Sequence, residues 1–290
     1  MYLNIYYLHG RIIMKKIGAN QLTDLLPALD ALTFSAEVFR KTGVFVIRQA
    51  IKSEHLKIWI QTWNKFYCTE LSGGRRVNRF NPVSVDDEYP LILADIHKSE
   101  ELLDIVEQVF GPDIALYNQR FVIKDSYRKS EVFVHNDSPY HFGWPNKASA
   151  FVALSSIDRS NGKMFFYPGT HQFGYLSDAG ELDPTILGEN WPVISPDLTP
   201  GDVVLMDSSL WHGSHPFDDG VNRIFADIIY QPADDPSGIS LLRGQWQTEI
   251  FMVHDKSKVF KRSRASRIAE LQEKLDGFRA DNAQVLNCVK

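Results

Sequence analysis

The spacing of apolar residues changes near Ile114, and this change constrains the fold more than any other feature of the sequence. Before it, apolar residues recur at the 3.6-residue period of helices, as in residues 53–68 and 99–111. After it, six short segments alternate apolar and polar residues, each bounded by Gly, Pro, Asn or Asp. Helices followed by many short strands predict an α+β, mainly β protein with an antiparallel sandwich or barrel as its core.

Capping residues predict where the helices begin and end. Ser53 and Ser99 stand where N-caps belong, and each is followed by glutamate in the first turn. Gly43 and Gly111 stand where helices end. A helical period also runs through residues 21–40, so we predict a helix there, followed by the short strand VFVIRQA.

The chain carries no internal repeat and no low-complexity linker, so we predict a single domain over residues 1–290. Residues 1–16 are apolar and aromatic but lack a basic leader and a small-residue cleavage site, and we interpret them as an N-terminal extension. The core is expected over about residues 44–235. The polar segment that follows is predicted to form a C-terminal amphipathic helix over about residues 256–280.

Composition excludes several classes of partner. A net charge of −5 gives no electrostatic footprint for nucleic acid, and no apolar run is long enough to cross a membrane. The two cysteines are far apart and form no zinc-binding pattern, as expected in a reducing compartment. We therefore expect a cytoplasmic protein with a small-molecule ligand, as a monomer or a homodimer.

One short motif suggests a metal site. His135-Asn136-Asp137 is the only H-x-D triplet in the chain. On a strand, residues two apart point to the same face, so His135 and Asp137 can aim at one point. A histidine and a carboxylate are two of the three ligands of the facial triad that suits Fe(II). Alone, the triplet is a weak signal that arises easily by chance.

A third ligand would have to be a histidine from a distant strand. His212 lies at the far end of a segment containing the buried strand VVLM, and Arg223 follows eleven residues later, after the hairpin signal DDG. Arg223 begins the apolar segment RIFADIIY. Its planar guanidinium can hold a carboxylate through two hydrogen bonds while the other end of that molecule chelates the metal.

Three motifs in order carry a resemblance to a known family. They are VFVHND (132–137), SNGKMFFYPGTH (160–171) and TPGDVVLMDSSLWHGSHPFDDGVNR (199–223). With these motifs the chain resembles the phytanoyl-CoA dioxygenase-like (PhyH) Fe(II)/2-oxoglutarate oxygenases. The resemblance implies a double-stranded β-helix (a cupin-like jelly roll) with flanking N-terminal helices. The cofactors it implies are Fe(II), 2-oxoglutarate and O₂.

The same resemblance implies roles for individual residues. His135, Asp137 and His212 would be catalytic as the metal ligands. The residues expected to bind the co-substrate are Arg223, Ser214 and Asn136. Asn136 departs from the family, which most often has glutamine there, and its shorter side chain changes the contact it could make.

The implied reaction is hydroxylation of an unactivated C–H bond in a small metabolite, with 2-oxoglutarate decarboxylated to succinate and CO₂. Halogenating members typically replace the carboxylate ligand with Ala or Gly, so Asp137 favours hydroxylation. Other readings stay open: a non-catalytic binding protein, a cupin-like Mn or Zn enzyme, or a desaturase or halogenase variant of the same chemistry.

Aromatic and cationic residues are candidates for substrate binding. Cations near the mouth of a site suit an anionic substrate. On an alternating strand, residues 117, 119, 121 and 123 share one face and residues 118, 120, 122 and 124 the other, and either face could line the site. The predicted substrate residues are Tyr140, His141, Trp144, Arg79, Arg120 and Asp227.

Overall fold

The structure is a computed structural model that describes residues 7–8, 11–12, 19–72, 79–80, 90–176, 178–246, 261 and 264–281. The chain divides into two compact units, residues 1–250 and 251–290, and each is described by itself. The predicted extension over residues 1–16 lies mostly outside the described residues. Within it, Tyr7–Leu8 and Arg11–Ile12 pair as antiparallel strands.

From Ile114 onward the first unit is built from strands, as predicted, whereas before it short strands are interspersed among the helices. Its helices are α1 (Ala19–Leu25), α2 (Ala36–Thr42), α3 (Ser53–Ser72), α4 (Leu91–Ala94) and α5 (Glu100–Phe110). Its strands are β1 (Tyr7–Leu8), β2 (Arg11–Ile12), β3 (Asp30–Ala31), β4 (Val44–Ile47), β5 (Arg79–Phe80), β6 (Ile114–Lys124), β7 (Val132–His135), β8 (Ala148–Ala153), β9 (Met164–Phe166), β10 (Val203–Asp207), β11 (His212–Ser214), β12 (Arg223–Pro232) and β13 (Ser240–Arg243).

The prediction of one helix over residues 21–40 is wrong. Helix α1 ends in a 3-10 turn that contains Pro27, and the short strand β3 separates it from α2. Proline lacks the backbone N–H that would continue the helix. The caps are as the sequence indicates at α2 and α5: Gly43, with φ of 75°, ends α2, and the Ser99 hydroxyl accepts the N–H of Leu102.

A large sheet and a small sheet form the double-stranded β-helix. The large sheet has the strand order β13-β6-β12-β8-β10-β4-β3, and β5 pairs with β6. It is antiparallel except where β3 pairs with β4. The small sheet has the order β7-β11-β9 and is antiparallel. The predicted mainly β fold is confirmed.

The large sheet is buried on both faces. One face packs against helices α3 and α5, where Trp63, Val106 and Phe121 belong to one apolar cluster. The other face forms a second cluster with Phe166 of the small sheet. Successive residues of a strand alternate between the two faces, which explains why all four residues of β4 are buried.

The second unit contains helix α6 (Arg264–Asp281), in the region of the predicted C-terminal helix. The start of that prediction, residues 256–260, lies outside the described residues. Apolar side chains at Ile268, Leu271, Leu275 and Phe278 are exposed. No helix in the part of the chain that the structure describes is both long and apolar enough to span a membrane.

Candidate metal centre

Two histidines face each other across the small sheet. His135 ends β7 and His212 begins β11, and the two residues are direct partners in the antiparallel register. Their ring centroids are 4.3 Å apart. Side chains directly opposite in an antiparallel pair share a face, so both imidazoles reach the same point between the two sheets.

Asp137 completes the cluster from outside the strand. Strand β7 ends at His135, and Asp137 lies at the start of a 3-10 turn with αR backbone angles, so the predicted regular strand through Asp137 is wrong. The Ser208 carbonyl accepts both the Asp137 and Ser138 N–H groups, at 2.8 and 2.9 Å. These main-chain bonds turn the Asp137 carboxylate back toward the imidazoles.

The three side chains form a group that could hold a metal. Their ligand atoms all lie within 4.8 Å of one another. The Asp137 carboxylate oxygens are 3.5 Å from His135 Nε2 and 3.9 Å from His212 Nε2. Two imidazole nitrogens and one carboxylate oxygen on one side of a point are the donor set of the Fe(II) facial triad.

Backbone carbonyls select the tautomer that a metal needs. His135 Nδ1–H donates to the carbonyl of Phe133 at 2.8 Å, and His212 Nδ1–H donates to the carbonyl of Leu210 at 2.9 Å. Each proton is therefore assigned to Nδ1, and each Nε2 lone pair is directed at the cluster.

Burial and neighbouring charges shift the pKa values of His212 and Asp137. Burial lowers the pKa of His212 to about 4, although the neighbouring Asp137 opposes the shift. Burial would raise the pKa of Asp137, but the His135 hydrogen bond and the charges of His212 and Arg120 outweigh it and hold that pKa well below its usual range. Near neutral pH the site therefore holds a neutral His212 and an ionised carboxylate.

An inner cavity extends from the cluster between the two sheets. It is lined by the three candidate ligands and by Arg120, Val122, Val132, Phe151, Met164, Gly213, Ser214, Arg223, Phe225 and Asp227. Arg223 donates through Nη1 to the Gly162 carbonyl at 2.6 Å. Its Nε atom and the Ser214 hydroxyl are buried and have no hydrogen-bond partner among the described residues.

These two unsatisfied donors fit a carboxylate. Buried polar groups are normally hydrogen-bonded, so a guanidinium N–H and a hydroxyl left open in one cavity indicate an anionic acceptor. Arg223 begins β12 of the large sheet, and Ser214 ends β11 of the small sheet. Both line the inner cavity together with the three candidate metal ligands. 2-Oxoglutarate has the carboxylate that this pair could hold and a second end that can chelate iron.

A second, outer cavity shares His135, Asp137, Arg120 and Val132 with the inner one. The other lining residues are Tyr117, Asn118, Phe133, Tyr140, His141 and Ile229. The face of β6 that lines the two cavities is the one with Asn118, Arg120 and Val122. Tyr117 also lines the outer cavity, because it lies at the irregularity of the pairing with β12, opposite Ile229 and Tyr230. The opposite face packs Phe121 and Ile123 into the helix-side core.

The predicted substrate residues divide according to their placement. Tyr140 and His141 line the outer cavity, Arg120 lines both cavities, and Asp227 lines the inner one. Trp144 lines neither of them and is 45% exposed. Arg79 begins β5, but its side chain lies outside the described residues.

Asn136, predicted to contact the co-substrate, is buried but is not among the residues that line either cavity. It lies between the two ligands of the triplet, at the point where the chain leaves the strand. Its side-chain oxygen has no hydrogen-bond partner in the described part of the chain.

Sequence patterns did not indicate the contacts that hold the cluster in place. The carbonyls of Phe133, Leu210 and Ser208 act through the main chain, so no side-chain type signals them. For Lys124, which lies opposite Arg223, the sequence did contain a signal. It is a lysine at the end of a predicted apolar strand, and a buried lysine needs a polar partner for its ammonium group.

The sequence of residues 39–219 matches the family described as Phytanoyl-CoA dioxygenase (PhyH). The chain belongs to this family. Enzymes of the PhyH family depend on Fe(II), 2-oxoglutarate and O₂, and the chain is accordingly a non-haem iron, 2-oxoglutarate-dependent oxygenase.

Solved structures of similar fold agree with the family. The alpha ketoglutarate dependent epimerase SnoN from nogalamycin biosynthesis is 15% identical with a TM-score of 0.60, covering 80% of this chain and 92% of SnoN. EctD from S. alaskensis, solved with 2-oxoglutarate and 5-hydroxyectoine, is 17% identical with a TM-score of 0.60, covering 78% and 85%. The non-heme monooxygenase ThoJ is 19% identical with a TM-score of 0.59, covering 83% and 99%. At these identities the likeness establishes the fold alone.

Proposed function

We propose that this PhyH-family oxygenase hydroxylates an unactivated C–H bond of a small anionic metabolite. His135, Asp137 and His212 hold Fe(II), and Arg223 with Ser214 holds the far carboxylate of 2-oxoglutarate. The open Arg223 Nε and Ser214 hydroxyl, in the same cavity as the histidine–aspartate cluster, support the second assignment. The whole chain acts as one domain in this proposal, although its C-terminal unit is compact by itself.

Bound iron supplies the activation of O₂, coupled to decarboxylation of 2-oxoglutarate to succinate and CO₂. The protein supplies geometry and exclusion of water. Val122, Phe151, Met164 and Phe225 give the inner cavity apolar walls around its polar groups. Such walls strengthen the charge interactions inside and limit the access of water to the reacting centre.

The proposal of an anionic substrate rests on Arg120. Apart from the two histidines, His135 and His141, it is the one basic residue among the described residues that line the outer cavity. Its Nε donates to the fully buried carboxylate of Asp227 at 2.5 Å, which fixes the guanidinium at the junction of the two cavities. Its two Nη atoms donate to no described residue, so they are available to a substrate carboxylate or phosphate.

Hydroxylation is favoured over halogenation because Asp137 occupies the position of the carboxylate ligand in the cluster. A halide would need the place on the metal that this carboxylate takes. Desaturation uses the same ligand set, and analysis of the oxidised product distinguishes it from hydroxylation.

The co-substrate site is tested by anaerobic titration of the Fe(II)-loaded protein with 2-oxoglutarate, following the visible metal-to-ligand charge-transfer band. We expect the band in wild type, its loss in His135→Ala, and a much higher 2-oxoglutarate requirement in Arg223→Ala. A folded, iron-loaded wild type without the band would refute the dioxygenase proposal and favour a cupin-like protein with another role.

The substrate proposal is tested by succinate release across paired anionic and neutral metabolites. We expect turnover with an anionic compound, and a loss of roughly 10- to 100-fold in kcat/KM in Arg120→Gln, the range for a lost charge-assisted hydrogen bond. The double variant Arg120→Gln/Asp227→Asn removes the pair without leaving an unpaired buried carboxylate. Arg159→Gln, an exposed arginine, is the matched control. Equal turnover of neutral analogues by wild type would contradict the proposal.

A further inference from the structure

A second buried cation lies beside the proposed carboxylate site. Lys124 ends β6 directly opposite Arg223, which begins β12. Directly opposed residues of an antiparallel pair project from the same face, with Cβ atoms about 5 Å apart. Both residues are buried, with 4% and 3% of their surface exposed.

The lysine is held in place without a counter-ion. Lys124 Nζ donates to the main-chain carbonyl of His215, and Arg223 donates to the carbonyl of Gly162. Gly162 has φ of 85°, and a Cβ there would lie 2.7 Å from the His215 carbonyl oxygen and 2.9 Å from Lys124 Cδ. Neither cation forms an ion pair with a carboxylate in the part of the chain that is described.

Two adjacent buried charges of the same sign destabilise the protonated form of Lys124 when no anion lies beside them. Burial, followed by the charge of Arg223, lowers the pKa of Lys124 to about 7, and only Glu131 acts in the opposite direction. His215, the other titratable group beside Lys124, has its pKa lowered mainly by burial and so stays neutral above pH 7. Arg223 keeps its charge throughout this range.

A carboxylate bound to Arg223 changes this balance. It supplies the negative charge that both cations lack, so it stabilises the protonated form of Lys124. By linkage, a ligand that favours protonation must take up a proton when it binds, and its affinity must fall as pH rises above the pKa of the free site.

We propose that Lys124 is a second cation of the 2-oxoglutarate site, a positioning residue that takes up a proton when the far carboxylate binds to Arg223. The proposal rests on the proposed function of this cavity. In physical terms, the protein reaches the full positive charge of the site only when the dicarboxylate is present.

The test is isothermal titration of the Mn(II)-loaded protein with 2-oxoglutarate in buffers of different ionisation enthalpy, which counts protons independently of activity. Because Mn(II) is bound first, the ligand histidines are already deprotonated and do not contribute. At pH 8 we expect wild type to take up most of one proton per site, and its Kd to rise roughly tenfold between pH 7 and pH 8.5.

Three variants separate charge from structure. Lys124→Met should bind 2-oxoglutarate more weakly, with no proton uptake and little pH dependence. Lys124→Arg carries a fixed charge and should bind without proton uptake at either pH. Lys129→Met changes an exposed lysine of the following loop and should behave as wild type. Circular dichroism and Mn(II) binding establish that each variant is folded.

The possible failures are distinguishable. Tight 2-oxoglutarate binding by wild type without proton uptake overturns the role of Lys124 and leaves the proposed function intact, and this measurement needs no variant. Proton uptake that persists in folded Lys124→Met also overturns it. Absence of 2-oxoglutarate binding by wild type even at pH 6.5 overturns the proposed function itself.

Discussion

Each histidine of the candidate centre is fixed by the carbonyl of the residue two positions before it. The bond sets the tautomer, and the cross-strand pairing of His135 with His212 sets the distance between the rings. Both imidazoles are therefore already oriented toward the position that a metal would take. This local arrangement predicts a strict difference between His212 and the neighbouring His215, which lies outside the cluster.

Replacing His212 with Gln should lower the Mn(II) or Fe(II) affinity by at least about 100-fold, because even residues that only support a ligand contribute 10- to 100-fold. His215→Gln is the control and should change the affinity less than about threefold, since it removes no ligand. Anaerobic titration calorimetry measures both. Similar losses in the two variants would contradict the assignment of the third ligand.

The lowered pKa of His212 predicts acid sensitivity of the metal-free protein. The pKa is about 4 in the folded state and about 6.5 in an unfolded chain, so the unfolded state binds the proton first as pH falls. The free energy of unfolding should therefore be highest above pH 6.5. As the pH falls from 6.5 to about 4, it should decrease by about 3 kcal/mol. Urea unfolding between pH 7 and 4 measures this. A His212→Gln variant with an unchanged pH dependence would refute the explanation.

At the scale of residues, the sequence singled out candidate ligands because histidine and carboxylate are the donors of the Fe(II) facial triad, and few such residues occur at the required spacing; their role as ligands stays a prediction. The structure brings together His135, Asp137 and His212, as the motifs indicate. The route to that geometry differed: Asp137 reaches the site through a turn held by Ser208, which no alternation pattern encodes.

Among the elements, the segment after Asp137 is pinned by a buried ion pair. Lys147 and Asp235 are both fully buried and bonded to each other, and Asp235 also accepts the Trp144 N–H at 3.0 Å. Lys147 in turn donates to the Trp144 carbonyl. The pair therefore fixes one end of the segment that carries Tyr140 and His141 into the outer cavity.

Asp235→Asn should destabilise the protein by about 3–5 kcal/mol, because it leaves the buried Lys147 charge without its partner. Asp197→Asn breaks the more exposed Lys163–Asp197 pair and should cost less than about 1 kcal/mol. Urea unfolding compares the two, and limited proteolysis should find new cleavage sites between residues 138 and 147 only in the first. Equal stability of the two variants would contradict this account.

A close approach between strands makes Gly213 sensitive to substitution. A Cβ at this position would lie 2.5 Å from Phe165 Cζ and 2.7 Å from the Val132 carbonyl oxygen, so β11 would have to move. Gly213→Ala should destabilise the protein by about 1–3 kcal/mol and weaken metal binding through His212. Gly180→Ala, with open space around it, is the control and should change neither thermal unfolding nor Mn(II) affinity.

The elements were predictable to different degrees for identifiable reasons. Helix α5 was predicted with its caps because Ser99 and Gly111 act locally. The break between α1 and α2 was missed because the apolar period continues through Pro27, while the chain there pairs β3 with β4. Sheet order could come only from the resemblance to a family, since strand pairing joins residues far apart in sequence.

For the molecule as a whole, the proposed ligands draw on both sheets. The two histidines belong to the small sheet, and Arg223 belongs to the large one. A chelate of iron and 2-oxoglutarate would therefore link the two layers, and its binding free energy would add to the stability of the whole first unit.

Saturating the protein with metal and 2-oxoglutarate should consequently raise its unfolding temperature. A ligand at 100 times its Kd contributes about 2.7 kcal/mol, or a shift of roughly 5–11 °C for a chain of this size. Differential scanning calorimetry with Mn(II) alone, and then with 2-oxoglutarate added, should show two successive increases. Arg223→Gln should keep the first and lose most of the second; loss of neither would place the co-substrate elsewhere.

The hydrogen bonds from the turn at Asp137 to the Ser208 carbonyl have a consequence for how the substrate preference of such enzymes evolves. Because main-chain atoms hold the turn that carries the carboxylate, the bond itself does not depend on the Ser208 side chain; that side chain is fully buried, so position 208 should accept only small amino acids in a mutational scan. Tyr140, His141 and Ile229, which line only the outer cavity, are not part of the candidate metal centre. Natural drift and laboratory evolution alike can thus rewrite substrate preference there while inheriting the reactive centre intact.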